Sequence, residues 1–284
     1  MYITDDGKTR IYIHLEQGRT SPMLGCCPNG TVDVDWGDGT AHDTLTGTSE
    51  TEVQWTQNHA YAAPGDYVIK LTVTGSMGFY GSSSSNGASA LLRYTSGGDN
   101  RNYVYYNAIQ NAEIGSGVTS IGGYAFNYCY SLANITIPDG VTRIGGNAFN
   151  YCESLANITI PDSVTSIGGN AFQYCYSLAN ITIPDGVTSI GSYAFNSCRS
   201  LANITIPDGV KSIGSNAFGT CYGVAEYHLA PTNPPTLSST NAFSGIPADC
   251  IIYVPYSADH SILAAYKTAN NWSTYASYMQ EEAA

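Results

Sequence analysis

The stretch VTSIGGYAFNYCYSLANITIPDG, residues 118–140, decides the fold, because it recurs almost unchanged at 141–163, 164–186 and 187–209. A fifth copy starts as VKSIGSNAFGTCYG at residue 210 and then diverges. The period is 23 residues without a slip. A fixed period in this range is typical of a solenoid, in which each unit buries its apolar face only against its neighbours.

Within one unit, two short segments have the character of strands. In SLANITIP, Leu155, Ile158 and Ile160 are the apolar positions, and Pro161-Asp162 ends the segment. Val164-Thr-Ser-Ile follows as a second extended piece that two glycines end. We therefore expect two strands in each turn of the coil.

The third segment of the unit carries alanine, phenylalanine, cysteine and leucine at i, i+1, i+4 and i+7. In the third copy these are Ala171, Phe172, Cys175 and Leu178. This spacing predicts the inward face of a short helical turn, so the coil is expected to be a β/α solenoid.

The composition limits the possible partners. Only 11% of the 284 residues are charged, against about 25% in an average domain. The net charge is −12 with 10 Lys plus Arg, which argues against nucleic acid and against an anionic membrane surface as partners. The sequence has no run of 18 apolar residues, so we expect no membrane insertion.

Residues 1–78 predict a small antiparallel β-sandwich. The runs RIYIHL (10–15), TVDVDW (31–36) and DYVIKLTV (66–73) alternate apolar and polar residues and are separated by Gly, Pro and Asp turns, and Glu52–Trp55 is a shorter candidate strand. VDVDWGDGT, His59-Ala60-Tyr61 and PGDYVIKLTVTG, in that order, resemble the PKD-type immunoglobulin-like module of bacterial surface proteins. The resemblance implies an adhesive or spacer domain.

Residues 79–108 are predicted to be a Gly/Ser-rich connection that leads into an N-terminal cap. Tyr103–Tyr106 stands where the Phe and Cys of a repeat would fall. Ile109 and Ile114 stand one period before Leu132 and Ile137. We therefore interpret 101–117 as a degenerate first repeat and place the repeats proper at 109–223.

The repeats closely resemble the BspA-like leucine-rich repeats of bacterial surface antigens, with the pattern xxIxxxAFxxCxxLxxIxIPxxV. The resemblance implies a right-handed leucine-rich-repeat solenoid on a surface protein that binds host or neighbouring-cell components.

In 224–284, IIYVP (251–255) predicts a last strand, and 261–270 and 272–280 predict short helices. These resemble the C-terminal cap of such arrays, and we expect Trp272 and Tyr275 to cover the last exposed Ile and Leu of the stack.

The column of cysteines could indicate a metal or redox site. Five cysteines in a line cannot converge on one tetrahedral ion, and all lie on the predicted inward face, so we interpret them as buried apolar filler. Cys26-Cys27 lacks the CxxC spacing of redox or zinc sites and is interpreted as structural. The column consists of Cys129, Cys152, Cys175, Cys198 and Cys221.

Asp33, Asp35 and Asp38 could bind Ca²⁺, but Gly37-Asp38-Gly39 is also a plain turn sequence, and no EF-hand spacing is present. We expect no metal and no cofactor. None of the five histidines lies in the repeats or in a recognisable nucleophile motif, and the expected role of His59 is that of a packed or turn-bonded imidazole. We therefore expect no catalytic residues and no enzyme activity.

The remaining candidates are surfaces. The repeats differ mainly at positions that the helical spacing turns outward. This convex row offers Tyr as rigid contact area and Asn as adaptable hydrogen-bonding groups, although neutral drift at exposed positions explains the same variation. The predicted row is Tyr124, Asn127, Tyr128, Tyr130, Asn147, Asn150, Tyr151, Asn170, Gln173, Tyr174, Tyr176, Tyr193 and Arg199.

The strand face is a weaker candidate. Its threonines Thr136, Thr159, Thr182 and Thr205, flanked by asparagines, form an uncharged ladder that suits a repetitive ligand such as a glycan, or simply a soluble sheet surface.

These observations predict a multidomain, mostly β protein, with an Ig-like β-sandwich, the solenoid and a C-terminal helical cap. The expected function is non-catalytic adhesion or ligand binding at a bacterial cell surface, with a host or neighbouring-cell surface protein or glycan as partner. An alternative is a structural or receptor-binding component of a phage tail. The N-terminus MYITDDGKTR lacks the plan of a signal peptide, which slightly favours the alternative unless the native chain begins earlier.

Overall fold

The computed structural model describes residues 6–17, 21–49, 51–57, 59–79, 92–95, 102–104 and 108–283. For Trp55, 92–95 and 102–104 it describes the backbone alone. Most of the predicted connection at 79–108 lies outside the described residues, as do the Gly/Ser tracts 81–87 and 96–100 and part of the predicted Tyr103–Tyr106 equivalent.

The N-terminal strands form an antiparallel sheet in the order β1-β5-β2-β3. β1, the second half of β2 and the first half of β5 coincide with the predicted runs 10–15, 31–36 and 66–73, and in β1 every second residue, such as Ile11, Ile13 and Leu15, is buried. The first half of β2 and all of β3 were not predicted from the sequence. β4 and β6 pair with the start of β2, and β7 pairs with β6. An Ig-like sandwich remains a prediction. The strands are β1 (Thr9–Leu15), β2 (Met23–Asp35), β3 (Asp43–Thr48), β4 (Gln54–Trp55), β5 (Gly65–Phe79), β6 (Leu92–Thr95) and β7 (Asn102–Val104).

The repeats coil into a β-solenoid with two parallel sheets. The NIT segments stack as the first sheet and the SI segments as the second, and successive strands are offset by 23 residues, as in Asn157↔Asn180 and Ser166↔Ser189. The first sheet consists of two groups of paired strands on the same side of the coil, and no ladder pair joins β14 to β16 in the described residues. One group contains β8 (Ile109–Glu113), β10 (Asn134–Thr136), β12 (Asn157–Thr159) and β14 (Asn180–Thr182), and the other contains β16 (Asn203–Ile206), β18 (Glu226–Leu229), β20 (Ile251–Val254) and β21 (Met279–Glu281). The second contains β9 (Val118–Ile121), β11 (Arg143–Ile144), β13 (Ser166–Ile167), β15 (Ser189–Ile190), β17 (Ser212–Ile213) and β19 (Thr236–Leu237).

The N-terminal sheet is continuous with both sheets of the solenoid. β1 lies between β5 and β8, and β8 is in parallel register with β10 through Asn111↔Asn134. This register makes Ile109–Glu113 part of the coil, and the interpretation of 101–117 as a degenerate first repeat stays a prediction. The end of β5 also pairs with β9. Backbone hydrogen bonds therefore join the two parts directly.

The third segment of each repeat is a chain of turns, so the prediction of a helical turn, and with it of a β/α solenoid, is wrong. Tyr124, Tyr128 and their equivalents adopt the left-handed conformation with φ between 52° and 64°, which interrupts a right-handed helix. Phe126 N–H donates to Ala148 C=O of the next turn at 2.7 Å, and Tyr128 N–H to Asn150 C=O at 2.8 Å. These bonds run between turns of the coil, where a helix would bond i to i−4.

The core of the solenoid is a column of stacked phenylalanines. Five consecutive pairs have ring centroids 5.2 to 5.4 Å apart and nearly parallel planes. Phe79 from β5 meets the first ring at 5.8 Å. Trp272 and Tyr275 each lie 5.4 Å from the last ring, Phe243. The column contains Phe126, Phe149, Phe172, Phe195, Phe218 and Phe243.

Trp272 and Tyr275 belong to short helices near the C-terminal end of the chain. An α-helix, α1, covers Ser261–Thr268, and a 3₁₀ helix covers Trp272–Tyr278. Both occur where the sequence predicted helices, but Met279 and Gln280 belong to β21 instead, because this segment pairs with β20. Trp272 and Tyr275 pack on Phe243, the last ring of the phenylalanine column, whereas we expected them from the sequence to cover the last Ile and Leu of the stack.

The cysteine column lies beside the phenylalanines and is buried, as predicted. Each thiol from Cys152 onward donates to a phenylalanine carbonyl, for example Cys175 Sγ to Phe149 O at 3.2 Å. Burial raises the pKa of Cys129 and Cys221 to about 12. Cys26 and Cys27 are also buried, and all eight cysteines are free thiols.

We expect Phe172→Ala to lower the free energy of unfolding by about 3–5 kcal/mol, because it leaves a cavity between two rings that the backbone ladder holds apart. Urea unfolding followed by circular dichroism measures this change. Tyr222→Ala is the control, since Tyr222 is 56% exposed and its loss should cost no more than about 0.5 kcal/mol. Equal losses in both variants would contradict the role of the column.

The thiols should not react in the native protein, because all eight are buried and burial raises the pKa of the five thiols of the cysteine column. We expect Ellman's reagent to label none of the eight cysteines in buffer and all eight in urea. Rapid labelling of any repeat cysteine in buffer would show that the column is open to solvent.

Candidate binding surfaces

The left-handed residues of the turns direct a set of tyrosines to the outside of the solenoid. Tyr128, Tyr151 and Tyr174 occupy the same position in three consecutive repeats and stack on one another, with ring centroids 4.9 and 4.3 Å apart. Tyr130 and Tyr176 flank this stack, each 5.9 Å from its neighbour Tyr128 or Tyr174. We call these five residues the tyrosine row.

The tyrosine row is half-buried and neutral. Its rings cover one another, so each phenol is partly removed from water. Burial, together with the neighbouring phenols Tyr174 and Tyr128, raises the pKa of Tyr151 to about 12. The guanidinium of Arg199 lies 4.9 Å from the ring centroid of Tyr176 and adds a cation at one end of the row. The arrangement is a rigid aromatic surface with a positive edge.

Two residues of the predicted convex row do not face outward. Asn127 is 3% and Asn150 is 7% exposed, so the prediction of an outward position is wrong for both. Asn150 Nδ2 donates to Asn127 Oδ1 at 3.0 Å, which makes them members of an internal amide ladder. The outward position was predicted from helical spacing, but the segment is a turn and directs these two side chains toward the core.

The other members of the predicted row lie beside the tyrosines. Asn170 Nδ2 donates to Asn147 Oδ1 at 3.2 Å, and Gln173 Nε2 donates to Asn196 Oδ1 at 3.3 Å, so these amides also link successive turns. Tyr193 is 40% exposed and is the most accessible tyrosine of the predicted row. Tyr124 is half-buried.

The second candidate surface is the strand face, which we define as the outward side of the first sheet. Thr136, Thr159, Thr182 and Thr205 are exposed there, as are the asparagines two residues before each of them. Among the described residues, Asn157, Asn180 and Asn203 and all four threonines make no side-chain hydrogen bonds, so their donors and acceptors are available to a ligand.

The structure extends the strand face beyond the residues that the sequence indicated. The register places Glu113 beside Thr136 at one end, and His228 beside Thr205, followed by Tyr253, at the other. Tyr12 of β1 lies opposite Asn111. The 23-residue spacing could have identified Glu113 and His228, because they stand one period from Thr136 and Thr205. Tyr12 could not be identified in this way, since only the tertiary fold brings it to the strand face.

The aspartates considered for Ca²⁺ have internal partners. Asp35 accepts from Gly37 N–H at 2.8 Å, Asp33 contacts His42 at 2.9 Å, and Asp38 contacts Thr40 and His59. His59 stacks on Trp36 with centroids 4.5 Å apart, which confirms its packed position. Within the part of the chain that the structure describes, no three such side chains converge as ligands for one metal ion.

The ionisation of the Asp38 carboxyl makes the free energy of unfolding depend on pH. Burial alone would raise its pKa, but hydrogen bonds from Thr40 and His59 outweigh that effect and lower the pKa to about 2. Since the folded pKa is below the unfolded value, the resulting stabilisation is present above pH ~4 and is lost as the pH falls toward 2.

We expect Asp38→Asn to be less stable than the parent by roughly 1–2 kcal/mol at pH 7 and to approach it near pH 2, because the folded parent keeps the carboxylate charged. Urea titrations at pH 7, 4 and 2.5 measure the difference. A difference that does not change with pH would show that the charge of Asp38 contributes nothing.

None of the described helices has the length and apolarity needed to cross a membrane.

Comparison with known proteins identifies the repeats. Residues 100–225 match the BspA type leucine rich repeat region in six copies. No curated protein sequence matches the chain. A leucine-rich repeat protein of T. pallidum is similar in structure, with 27% identity, 63% of this chain and 87% of that chain covered, and a TM-score of 0.45.

In two further solved structures the similarity to this chain covers a smaller part of the other protein. A leucine-rich repeat protein from Bacteroides ovatus is 27% identical over 54% of this chain and 52% of that chain, with a TM-score of 0.40. The pneumococcal vaccine antigen PcpA is 21% identical over 61% of this chain and 40% of that chain, with a TM-score of 0.49. Together with the 23-residue register of the sheets, the match to the repeat pattern shows that residues 100–225 are a BspA-type leucine-rich repeat region.

Proposed function

We propose that this chain is a non-catalytic binding protein of the bacterial cell surface, and that its tyrosine row binds a protein on a host or neighbouring cell. The BspA-type repeats support a surface location, because the family that they resemble consists largely of surface antigens. The low content of charged residues and the net charge of −12 support a partner other than nucleic acid.

The observation that carries this proposal is the stacking of Tyr128, Tyr151 and Tyr174. Tyrosine and arginine dominate the residues that contribute most to protein interfaces, because each covers a large area and also forms hydrogen bonds. Stacked rings lose little side-chain entropy on binding, since they are ordered before the partner arrives. The row, with Arg199 at its edge, therefore has the composition and the rigidity of a recognition surface.

Adhesion follows from the same surface if the partner is fixed to another cell. The residues that stabilise the coil are different from those that would bind the partner. The phenylalanine and cysteine columns are buried inside the solenoid and contribute no side chain to the tyrosine row. The residues of the row can therefore differ between repeats without loss of the scaffold.

The test is the combined variant Tyr128→Ser, Tyr151→Ser and Tyr174→Ser on an array of host and bacterial surface proteins. Serine is chosen because Ser197 occupies the same position in the next repeat with φ of 64°. We expect every protein ligand of the parent to lose at least about tenfold in affinity, because the central contact area is removed. Binding is measured by biolayer interferometry.

Tyr222→Ser is the matched control, because Tyr222 is exposed and lies outside the row. Unfolding in urea confirms that each variant is folded at the assay temperature. Unchanged affinity of the triple variant for all protein ligands would overturn the assignment of the row.

A further inference from the structure

The strand face carries two straight columns of side chains that cross seven strands of the first sheet. One column consists of Asn111, Asn134, Asn157, Asn180, Asn203 and Glu226, and the other of Glu113, Thr136, Thr159, Thr182, Thr205, His228 and Tyr253. The step from β14 to β16 follows from the 23-residue period, since these two strands are not paired in the described residues. Tyr12 of β1 extends the first column at its N-terminal end. The columns therefore repeat the same groups at the spacing between parallel strands, about 4.8 Å.

The middle of this face is neutral and rich in hydrogen-bonding groups. From Asn134 to Thr205 each strand presents one carboxamide and one hydroxyl, both exposed. A carboxamide donates and accepts, and so does a hydroxyl. Apart from the bond of Asn134 to Asn111 at 3.0 Å, these groups have no side-chain partner in the described residues. The face lacks the apolar anchors that a protein partner would need at its centre.

Each end of the face carries an aromatic ring. At the N-terminal end, Tyr12 OH donates to Glu113 Oε1 at 2.9 Å, and the guanidinium of Arg10 lies 3.8 Å from Glu113 Oε2. These contacts hold the ring in place and offset the charge of the carboxylate. Tyr12 and Glu113 line a groove of about 290 Å³ together with Asn111, Asn134 and Thr136.

At the C-terminal end, His228 stacks on Tyr253 with ring centroids 5.0 Å apart and an interplanar angle of 18°. Glu226 and Glu282 hydrogen-bond to the two ring nitrogens of His228 and fix its plane. Six strand-to-strand steps separate β1 from β18, which corresponds to roughly 30 Å. The two aromatic sites therefore bracket the whole Asn/Thr ladder.

One edge of the face is acidic. Asp139, Asp162, Asp185 and Asp208 follow the strands at intervals of one repeat and are all exposed. Asp185 and Asp208 line a groove of about 690 Å³ with Thr182 and Thr205. Repulsion from this row disfavours a polyanionic ligand.

We propose that the strand face binds a linear, neutral polysaccharide that lies across the strands. Its hydroxyls would exchange hydrogen bonds with the Asn and Thr columns, and a sugar ring would stack on Tyr12 at one end and on Tyr253 or His228 at the other. A polymer with one repeating unit can meet the same pair of groups on every strand. The inference rests on the proposed binding function but assigns a different surface and a different class of ligand.

The test is an array of linear polysaccharides, both neutral and acidic, followed by calorimetry with purified oligosaccharides of each neutral polymer that binds. We expect neutral polymers to bind and polyuronic acids to bind poorly, with affinity that increases with chain length up to the length of the face. Absence of binding to every neutral polysaccharide on the array would overturn the proposal.

Two sets of variants locate the site. Tyr12→Ala and Tyr253→Ala should each weaken binding by roughly tenfold, as loss of one aromatic contact does. Thr159→Arg with Thr182→Arg should block the centre of the face, and both residues are exposed, so the fold should be kept. Thr142→Arg with Thr188→Arg is the matched control, because these exposed threonines precede β11 and β15 of the other sheet.

The outcomes also separate this inference from the proposed function. If the protein array yields a ligand that depends on the tyrosine row while no neutral polysaccharide binds, the polysaccharide site is refuted and the proposed function stands. If a polysaccharide binds equally well to the Thr159/Thr182 variant and to its control, the location on the strand face is wrong.

Discussion

The structure depends on backbone pairing between successive turns of the coil. In the regular repeats the partner of a residue lies 23 positions away in both sheets, and in the turns Phe126 N–H donates to Ala148 C=O of the next turn. This ladder holds the phenylalanine rings in contact and aligns every exterior side chain with its equivalents. Toward the C-terminal end the offset increases to 24 residues between Ser212 and Thr236 and to 25 between Glu226 and Ile251. It reaches 27 residues between Ile252 and Met279, and the strands still pair, because the additional residues lie outside them.

A solenoid of this kind exposes a strand edge and an apolar end at each terminus, and both must be covered. At the first turn, β1 and β5 pair with the two sheets, and Phe79 packs on the first phenylalanine. At the last turn, Trp272 and Tyr275 pack on Phe243, and Phe243 N–H donates to Tyr275 OH at 3.0 Å. The N-terminal sheet thus completes the solenoid, in addition to any role of its own.

The same ladder explains why the two exterior surfaces differ. The strand face is uniform, since each NIT segment must keep an inward isoleucine between two outward polar residues. The turns tolerate Tyr, Asn, Ser or Thr at the left-handed positions, because these side chains lie outside the packed columns. A uniform surface suits a repeating ligand, and a varied one suits a partner that is recognised at particular residues.

The sequence by itself determined the period, the strands of the repeats and the buried columns, because these repeat locally and the apolar spacing reports them directly. It did not indicate β3 or the first half of β2, which lie outside the alternating runs. Only the tertiary structure decided the turn conformation. Inter-turn hydrogen bonds replaced the expected helix and moved Asn127 and Asn150 inward. The tertiary structure also places Tyr12 next to Glu113, 101 residues away in sequence, by pairing β1 with β8. Local spacing contains no information on such a contact, since it depends on how the N-terminal sheet closes the first turn.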